Sequence, residues 1–225
     1  MSQLDEIIPP EIRDDSFAGA LIKLGGDTSL TTYLEIGSSN GAGSTWAFVT
    51  GMMQRPDDSK ARLFCMEMSE PRFAELSQRY RDQPHVHCYN YSSVLLEEFP
   101  SEDQVVHFYT STRTNLNLTP LPIVLGWLRQ DIDYLRQRAQ PFNGIDHIKK
   151  ENRISHFDCV LIDGSEFTGE QELLHTLGAK VIALDDVNSF KCFNCYRILR
   201  SHVGYELVTE DLTLRNGYAI FRRRY

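Results

Sequence analysis

The sequence "TTYLEIGSSNGAGSTWAF", residues 31–48, decides the fold. Its apolar run ending at Ile36 is typical of a buried strand, and helix-forming residues follow the turn after it. The turn contains three glycines, Gly37, Gly41 and Gly43, and the carboxylate of Glu35 lies two residues before the first of them. Glycines let the backbone come close to a ligand, and the helix beyond them offers free N–H groups. The stretch therefore predicts a nucleotide-type cradle at the carboxyl end of a strand.

The rest of the chain repeats this strand-and-helix pattern. Short apolar runs typical of strands lie at Tyr33–Ile36, Leu63–Met66, Val86–Tyr89, Cys159–Ile162 and Val181–Leu184. Amphipathic helical patterns separate most of them, as the crossovers of a parallel sheet require. The C-terminal sequence "YELVTEDLTLRNGYAIFRRR" instead has two strand-like runs around Asn216-Gly217, which predicts an antiparallel hairpin. We expect an α/β fold with a doubly wound, mostly parallel sheet that ends in this hairpin.

The chain of 225 residues, with 41% hydrophobic residues, is long enough for one domain over residues 1–225. The segment 100–152 is too long for a simple crossover. One helical face within it carries the apolar residues Ile123, Trp127, Leu128, Ile132 and Leu135. We therefore expect a helical insertion, or cap, over the active edge of the sheet.

Composition excludes several classes of partner. The 31 acidic residues exceed the 23 Lys and Arg, and the net charge of −8 opposes nucleic-acid binding. No apolar run is long enough to span a membrane, and the acidic N-terminus lacks the features of a signal peptide, so we expect a cytoplasmic protein. A single C-x-x-C pair, Cys192 and Cys195, lacks the second ligand pair of a zinc site. A homo-oligomer remains open.

The sequence "LEIGSSNGAGSTWAF" resembles motif I of the class I S-adenosylmethionine-dependent methyltransferases. In that motif an acidic residue ends the first strand and a glycine turn lies against the methionine part of the cofactor. The sequence "LFCMEMSEPRFAEL" resembles the second strand of this family, "FDCVLIDGSEFTGEQEL" the fourth, "AKVIALDDVNSF" the fifth, and the final hairpin the sixth and seventh. The resemblance implies a seven-stranded Rossmann-like sheet and S-adenosylmethionine as cofactor.

The resemblance also implies a set of cofactor-binding residues: Glu35, Gly37, Ser38, Ser39, Gly41, Glu67, Asn90, Ser92 and Asp163. Glu67 would accept the ribose hydroxyls, and the polar residues after the third strand would lie near the adenine. The loop spacing, G-x-x-x-G-x-G, differs from the G-x-G-x-x-G of dinucleotide sites. A fixed carboxylate at Glu35 also suits a cationic ligand better than a pyrophosphate.

Three carboxylates follow the predicted fourth and fifth strands: Asp163, Asp185 and Asp186. Those strands are neighbours in a class I sheet, and three acids brought together repel without a cation. Oxygen ligands suit a hard ion, with Mg²⁺ first and Mn²⁺ or Ca²⁺ next. The arrangement is similar to metal-dependent small-molecule O-methyltransferases of the catechol and macrocin types. That resemblance implies Asp163 and Glu166 as catalytic residues, with Glu166 at the position of a base.

The leading hypothesis is an S-adenosylmethionine-dependent O-methyltransferase for a small hydroxylated molecule, such as a sugar or secondary metabolite, with assistance by Mg²⁺ left open. A second hypothesis keeps the fold and drops the metal, with Asp163 or Glu166 as base. A third is a cofactor-binding scaffold without turnover. A dinucleotide oxidoreductase is disfavoured by the loop spacing.

Overall fold

The computed structural model describes residues 3–56 and 61–225. Within these ranges, seven strands form one sheet in the order β3-β2-β1-β4-β5-β7-β6. The strands are β1 Thr32–Ile36, β2 Arg62–Met66, β3 Val86–Tyr89, β4 Cys159–Ile162, β5 Val181–Asp185, β6 Tyr205–Asp211 and β7 Tyr218–Arg223. Strands β1 to β5 pair in parallel, and β7 pairs antiparallel with both β5 and β6. The predicted mostly parallel sheet with a C-terminal hairpin is confirmed.

Helices cover both faces of this sheet. Those in the described ranges are α1 Ser16–Gly26, α2 Ser44–Met52, α3 Glu70–Tyr80, α4 Glu102–Ser111, α5 Leu121–Arg138, α6 Gly144–Asn152, α7 Gly169–Thr176 and α8 Phe190–Ser201. Alternate strand residues point to opposite faces. Tyr33 packs with Phe17 and Phe48 of α1 and α2, whereas Leu34 packs with Ile145 and other residues of α6 to α8. The sheet is therefore doubly wound.

The register of the parallel strands brings their carboxyl ends to one edge. Ile36 at the end of β1 is aligned with Met66 of β2 and with Ile162 of β4. Ile162 in turn is aligned with Leu184 of β5. The residues that follow these strands consequently meet at the same edge, which is where ligands bind in open α/β sheets.

The helices between β3 and β4 have two different packing partners. Helices α4 and α5 form a separate apolar cluster that includes Phe108, Leu128 and Phe167. Helix α6 packs against the sheet itself through Ile145 and Ile148. On α5 the predicted apolar face is wrong at Ile123, which is 49% exposed, because the buried positions are Val124, Leu128 and Leu135. A role for this segment as a substrate cap remains a prediction.

Two further observations concern membrane-spanning helices and the state of the cysteines. Across residues 3–56 and 61–225, the helices are too short or too polar to cross a bilayer. All five cysteines are free thiols, and Cys192 and Cys195 are buried in α8.

Candidate functional site

A cavity of about 400 Å³ lies at the carboxyl ends of the parallel strands. The predicted site residues that line it are Gly37, Ser38, Ser39, Glu67, Ser92, Asp163, Asp185 and Asp186. Helix α5 adds Asp131 and Tyr134, and the N-terminal segment adds residues between Leu4 and Ile12. The cavity is thus enclosed by the sheet edge, the helical segment before β4 and the start of the chain.

The glycine turn depends on close backbone contact. Gly37 has a φ of +85°, and a Cβ built there would lie 1.9 Å from the backbone oxygen of Asp163. Gly41 also has a positive φ, and a Cβ there would clash with Leu76 and Tyr80. Ser39 has a φ of +49°, a left-handed conformation that favours glycine. The turn therefore tolerates a side chain at Ser39 but has no room for one at Gly37.

Glu35 lies beneath this turn and outside the cavity lining. Its side chain is fully buried, and Oε2 accepts hydrogen bonds from Ser38 Oγ at 2.8 Å and Thr45 Oγ1 at 2.6 Å. Oε1 has no hydrogen-bond partner among the described residues. These contacts fix the turn to the start of α2. Direct contact between Glu35 and a cofactor stays a prediction.

Glu67 directs a fixed carboxylate into the cavity. Oε2 accepts from the backbone N–H of Ser39 at 2.8 Å, and Oε1 accepts from that of Ser69 at 2.7 Å. Burial raises the pKa of Glu67, although these backbone donors oppose the rise. The carboxylate therefore has the position expected of an acceptor for a vicinal diol.

The two polar residues predicted near an adenine have different places. Asn90 lies outside the cavity lining, and its amide donates to the backbone oxygens of Glu67 at 2.8 Å and Met68 at 2.9 Å. It thus fixes the end of β2. Ser92 does line the cavity, and its hydroxyl donates to the backbone oxygen of Val94 at 2.8 Å.

The three predicted metal acids come together. One carboxylate oxygen from each of Asp163, Asp185 and Asp186 lies within 4.8 Å of the others. The ammonium of Lys191 lies among them, 2.8 Å from Asp163 Oδ1 and 2.6 Å from Asp186 Oδ2. Arg215 Nη2 lies 3.3 Å from Asp185 Oδ1. The acids suit a hard ion, but with Lys191 in this position the complete set of side chains does not fit one.

Burial and neighbouring charges shift the pKa values of the groups in this cluster in different directions. Burial raises the pKa of Asp163 well above its usual range. Burial and the neighbouring Asp186 raise the pKa of Asp185 to about 6. Although burial opposes the shift, Lys191 holds the pKa of Asp186 below its usual range. Burial also opposes the charge of Lys191, but the surrounding carboxylates raise its pKa well above the ordinary value, so it stays an ammonium.

Sequence reasoning missed Lys191, although the chain offers a signal. Lys191 is in the first turn of α8, where the helix dipole disfavours a cation. A lysine there calls for acidic partners from elsewhere in the fold. Asp186, which directly follows β5 and precedes α8 in the sequence, is one such partner.

The predicted base, Glu166, does not line the cavity. Its carboxylate accepts a hydrogen bond from Ser189 Oγ, and burial raises its pKa. A different carboxylate, Asp131 of α5, lines the cavity and accepts from Ser165 Oγ. Burial raises the pKa of Asp131 to about 6. Its sequence signal was its place on the buried stripe of α5, between Leu128 and Leu135.

The N-terminal segment is tied across the cavity by side chains from two helices. Asp5 Oδ1 accepts hydrogen bonds from Tyr134 Oη of α5 at 2.9 Å and from Ser69 Oγ, the N-cap of α3, at 3.2 Å. Arg72 Nε donates to the backbone oxygen of Glu6 at 2.9 Å. This covering segment had no signal in the sequence.

Comparison with known proteins finds similar structures but no match among family models or curated sequences. No protein-family model matches the chain, and no curated protein has a significantly similar sequence. An O-methyltransferase from Bacillus cereus in complex with SAH is similar in structure, with a TM-score of 0.55, 14% identity, and coverage of 96% of this chain and 84% of that one. An SAH-bound methyltransferase from Podospora anserina has a TM-score of 0.52 at 12% identity, covering 96% and 81%. A methyltransferase from Geobacter sulfurreducens has a TM-score of 0.52 at 13% identity, covering 95% and 80%. The chain therefore has the class I methyltransferase fold.

Proposed function

We propose that this protein is an S-adenosylmethionine-dependent O-methyltransferase that acts on a small hydroxylated molecule. The observation that carries the proposal is the convergence of the glycine turn, the Glu67 carboxylate and the acid cluster on one cavity. Structural neighbours of the same fold that bind SAH give the proposal further support.

The chemistry of the cavity fits this cofactor. Its volume of about 400 Å³ is within the range of small-molecule sites. Gly37 keeps the turn free of side-chain atoms, and Glu67 offers two fixed oxygens to the ribose hydroxyls. Carboxylates in the lining favour a ligand with an ammonium and a sulfonium over one with a pyrophosphate.

When bound beside Gly37 and Glu67, S-adenosylmethionine would supply an electrophilic methyl group to the acceptor oxygen and would leave as the neutral thioether S-adenosylhomocysteine. The main task of the protein is then to position the acceptor oxygen and to take its proton. Asp131 and Asp163 line the cavity and are our candidates for the proton acceptor. Glu166 has a supporting role in this proposal, because its carboxylate lies outside the cavity lining and accepts from Ser189.

A small acceptor is favoured over a nucleic acid by charge. The chain has a net charge of −8, and the described lining of the cavity is rich in carboxylates. A phosphate polymer would be repelled by such a surface. A neutral hydroxylated molecule, such as a sugar or secondary metabolite, carries no such penalty.

Calorimetric titration with S-adenosylhomocysteine tests the proposal. Wild-type protein should bind saturably, and Glu67→Gln should bind about tenfold more weakly, since a charge-assisted hydrogen bond to a diol is lost. Gly37→Ala should abolish binding, because its Cβ would displace the turn from Asp163. Gly19→Ala is the matched control, because a Cβ at Gly19 in α1 would meet open space.

Circular dichroism would establish that each variant folds. If folded wild-type protein binds no S-adenosylhomocysteine, the proposal is wrong. Preferential binding of NAD would favour the dinucleotide alternative.

A further inference from the structure

The ammonium of Lys191 occupies the centre of the acid cluster. It bonds to Asp163 Oδ1 at 2.8 Å and to Asp186 Oδ2 at 2.6 Å, and its side chain is only 10% exposed. A lysine ammonium has three N–H donors, so these two contacts leave one for another partner. The ammonium also lies in the wall of the cavity, within reach of a bound molecule.

Each acid of the cluster has a cationic partner from the chain itself. Lys191 pairs with Asp163 and Asp186, while Arg215 pairs with Asp185. A divalent ion bound by the same carboxylates would lie next to the ammonium and would share its oxygens. Repulsion between the two cations in a partly buried site would strongly disfavour this arrangement.

Close packing of two helices keeps Lys191 in place. Gly169, the first residue of α7, lies so near α8 that a Cβ there would be 2.0 Å from the backbone oxygen of Lys191. Cys192, the next residue of α8, is fully buried. The backbone that carries Lys191 is therefore fixed, and a divalent ion could enter only if the side chain itself left two carboxylates.

We propose that the Lys191 ammonium is the resident cation of this site and stands in place of a divalent metal. The three acids are then the partners of a lysine, and the site differs in this respect from the metal-dependent enzymes that its sequence resembles. Its meaning for catalysis rests on the proposed function: methyl transfer here would be independent of divalent metal, and the remaining N–H of Lys191 would be offered to the acceptor oxygen.

Calorimetric titration with Mn²⁺ tests this inference on the intact protein. Wild-type protein should show no saturable binding, and neither should Lys191→Arg, which keeps the positive charge. Lys191→Met should gain saturable Mn²⁺ binding that wild type lacks, because the competing cation is gone. The double variant Lys191→Met with Asp186→Asn should lose this gain. Among these proteins, Mn²⁺ should raise the melting temperature of Lys191→Met alone.

Saturable Mn²⁺ binding by wild type that Asp163→Asn abolishes would overturn the inference. Failure of folded Lys191→Met to gain binding would also overturn it, since Lys191 would then not be filling a metal position. If Lys191→Met does not fold without metal, the wild-type titration decides, and lack of binding there supports the inference. A parallel titration with S-adenosylhomocysteine separates the two proposals, because its failure removes the proposed function and leaves the metal result intact.

Discussion

Asp131 is the clearest case of a single side chain whose charge is set by the fold. It comes from a helix outside the sheet layers, yet its carboxylate lies in the cavity wall beside Ser165. Burial raises its pKa to about 6, whereas the same group in an unfolded chain titrates near 3.9. The folded protein therefore binds this proton more tightly than the unfolded chain does.

Linkage gives the sign of the effect on stability. A raised carboxyl pKa means that the contribution of Asp131 to stability falls as pH rises from about 4 to about 6, and is constant above that range. Asp131→Asn should remove this cost, so the variant should be more stable than wild type by up to about 2 kcal/mol above pH 6. Urea unfolding between pH 4 and 8 measures the difference.

Asp133→Asn is the matched control, because Asp133 is an exposed residue of the same helix. Its difference from wild type should stay within about 0.5 kcal/mol and show no such trend. A constant difference for Asp131→Asn across the pH range would contradict the argument.

Helices α7 and α8 determine where Lys191 lies. They approach closely at Gly169, and this contact fixes the position of the first turn of α8 relative to the acids. A lysine has enough length to reach solvent from most positions. Here the position of the helix, together with two carboxylate partners, holds the side chain inside.

Substitution of Gly169 should therefore be costly. Gly169→Ala places a Cβ 2.0 Å from the backbone oxygen of Lys191, so the helices must separate, at a cost of about 2 kcal/mol. Gly126→Ala in α5 is the control: a Cβ there meets open space, and alanine favours the helix, so stability should be unchanged or slightly higher. Thermal melts compare the two, and equal melting temperatures would rule out close packing at Gly169.

Arg215 connects distant parts of the chain across the molecule. It lies in the turn between β6 and β7, and its guanidinium pairs with Asp185 at the end of β5 and with Asp15, the N-cap of α1. The C-terminal hairpin and the first helix are thus joined at the edge of the cavity. Both acids have side chains less than 15% exposed.

Loss of both ion pairs of Arg215 should lower the stability of the whole fold. Arg215→Met leaves buried Asp185 and partly buried Asp15 without this cation, so the free energy of unfolding should fall by about 2 kcal/mol or more. Arg224→Met breaks only an exposed contact with Glu206 at 3.9 Å and should change it by less than about 0.5 kcal/mol. Urea denaturation would distinguish them, and a similar small effect for both variants would count against a structural role for Arg215.

The sequence by itself determined the layout of the sheet and its binding edge. Strand-length apolar runs broken by helical patterns specify parallel pairing, because only a crossover can return the chain in the same direction. Asn216-Gly217 specified the hairpin. The acids Glu67, Asp163, Asp185 and Asp186 could be placed at one edge because each lies at the end of a strand or directly after it.

Only the tertiary structure decided what those acids contact. The ammonium of Lys191 comes from α8, and the carboxylate of Asp131 comes from α5, in the long segment between β3 and β4. Neither residue lies at the end of a strand, so the strand order could not predict its position. The sequence correctly predicted that Glu35 lies at the end of β1. The direction of its side chain, however, depends on which face of β1 is covered by α2. Local patterns fix where the chain turns, whereas distances between side chains depend on how the helices pack.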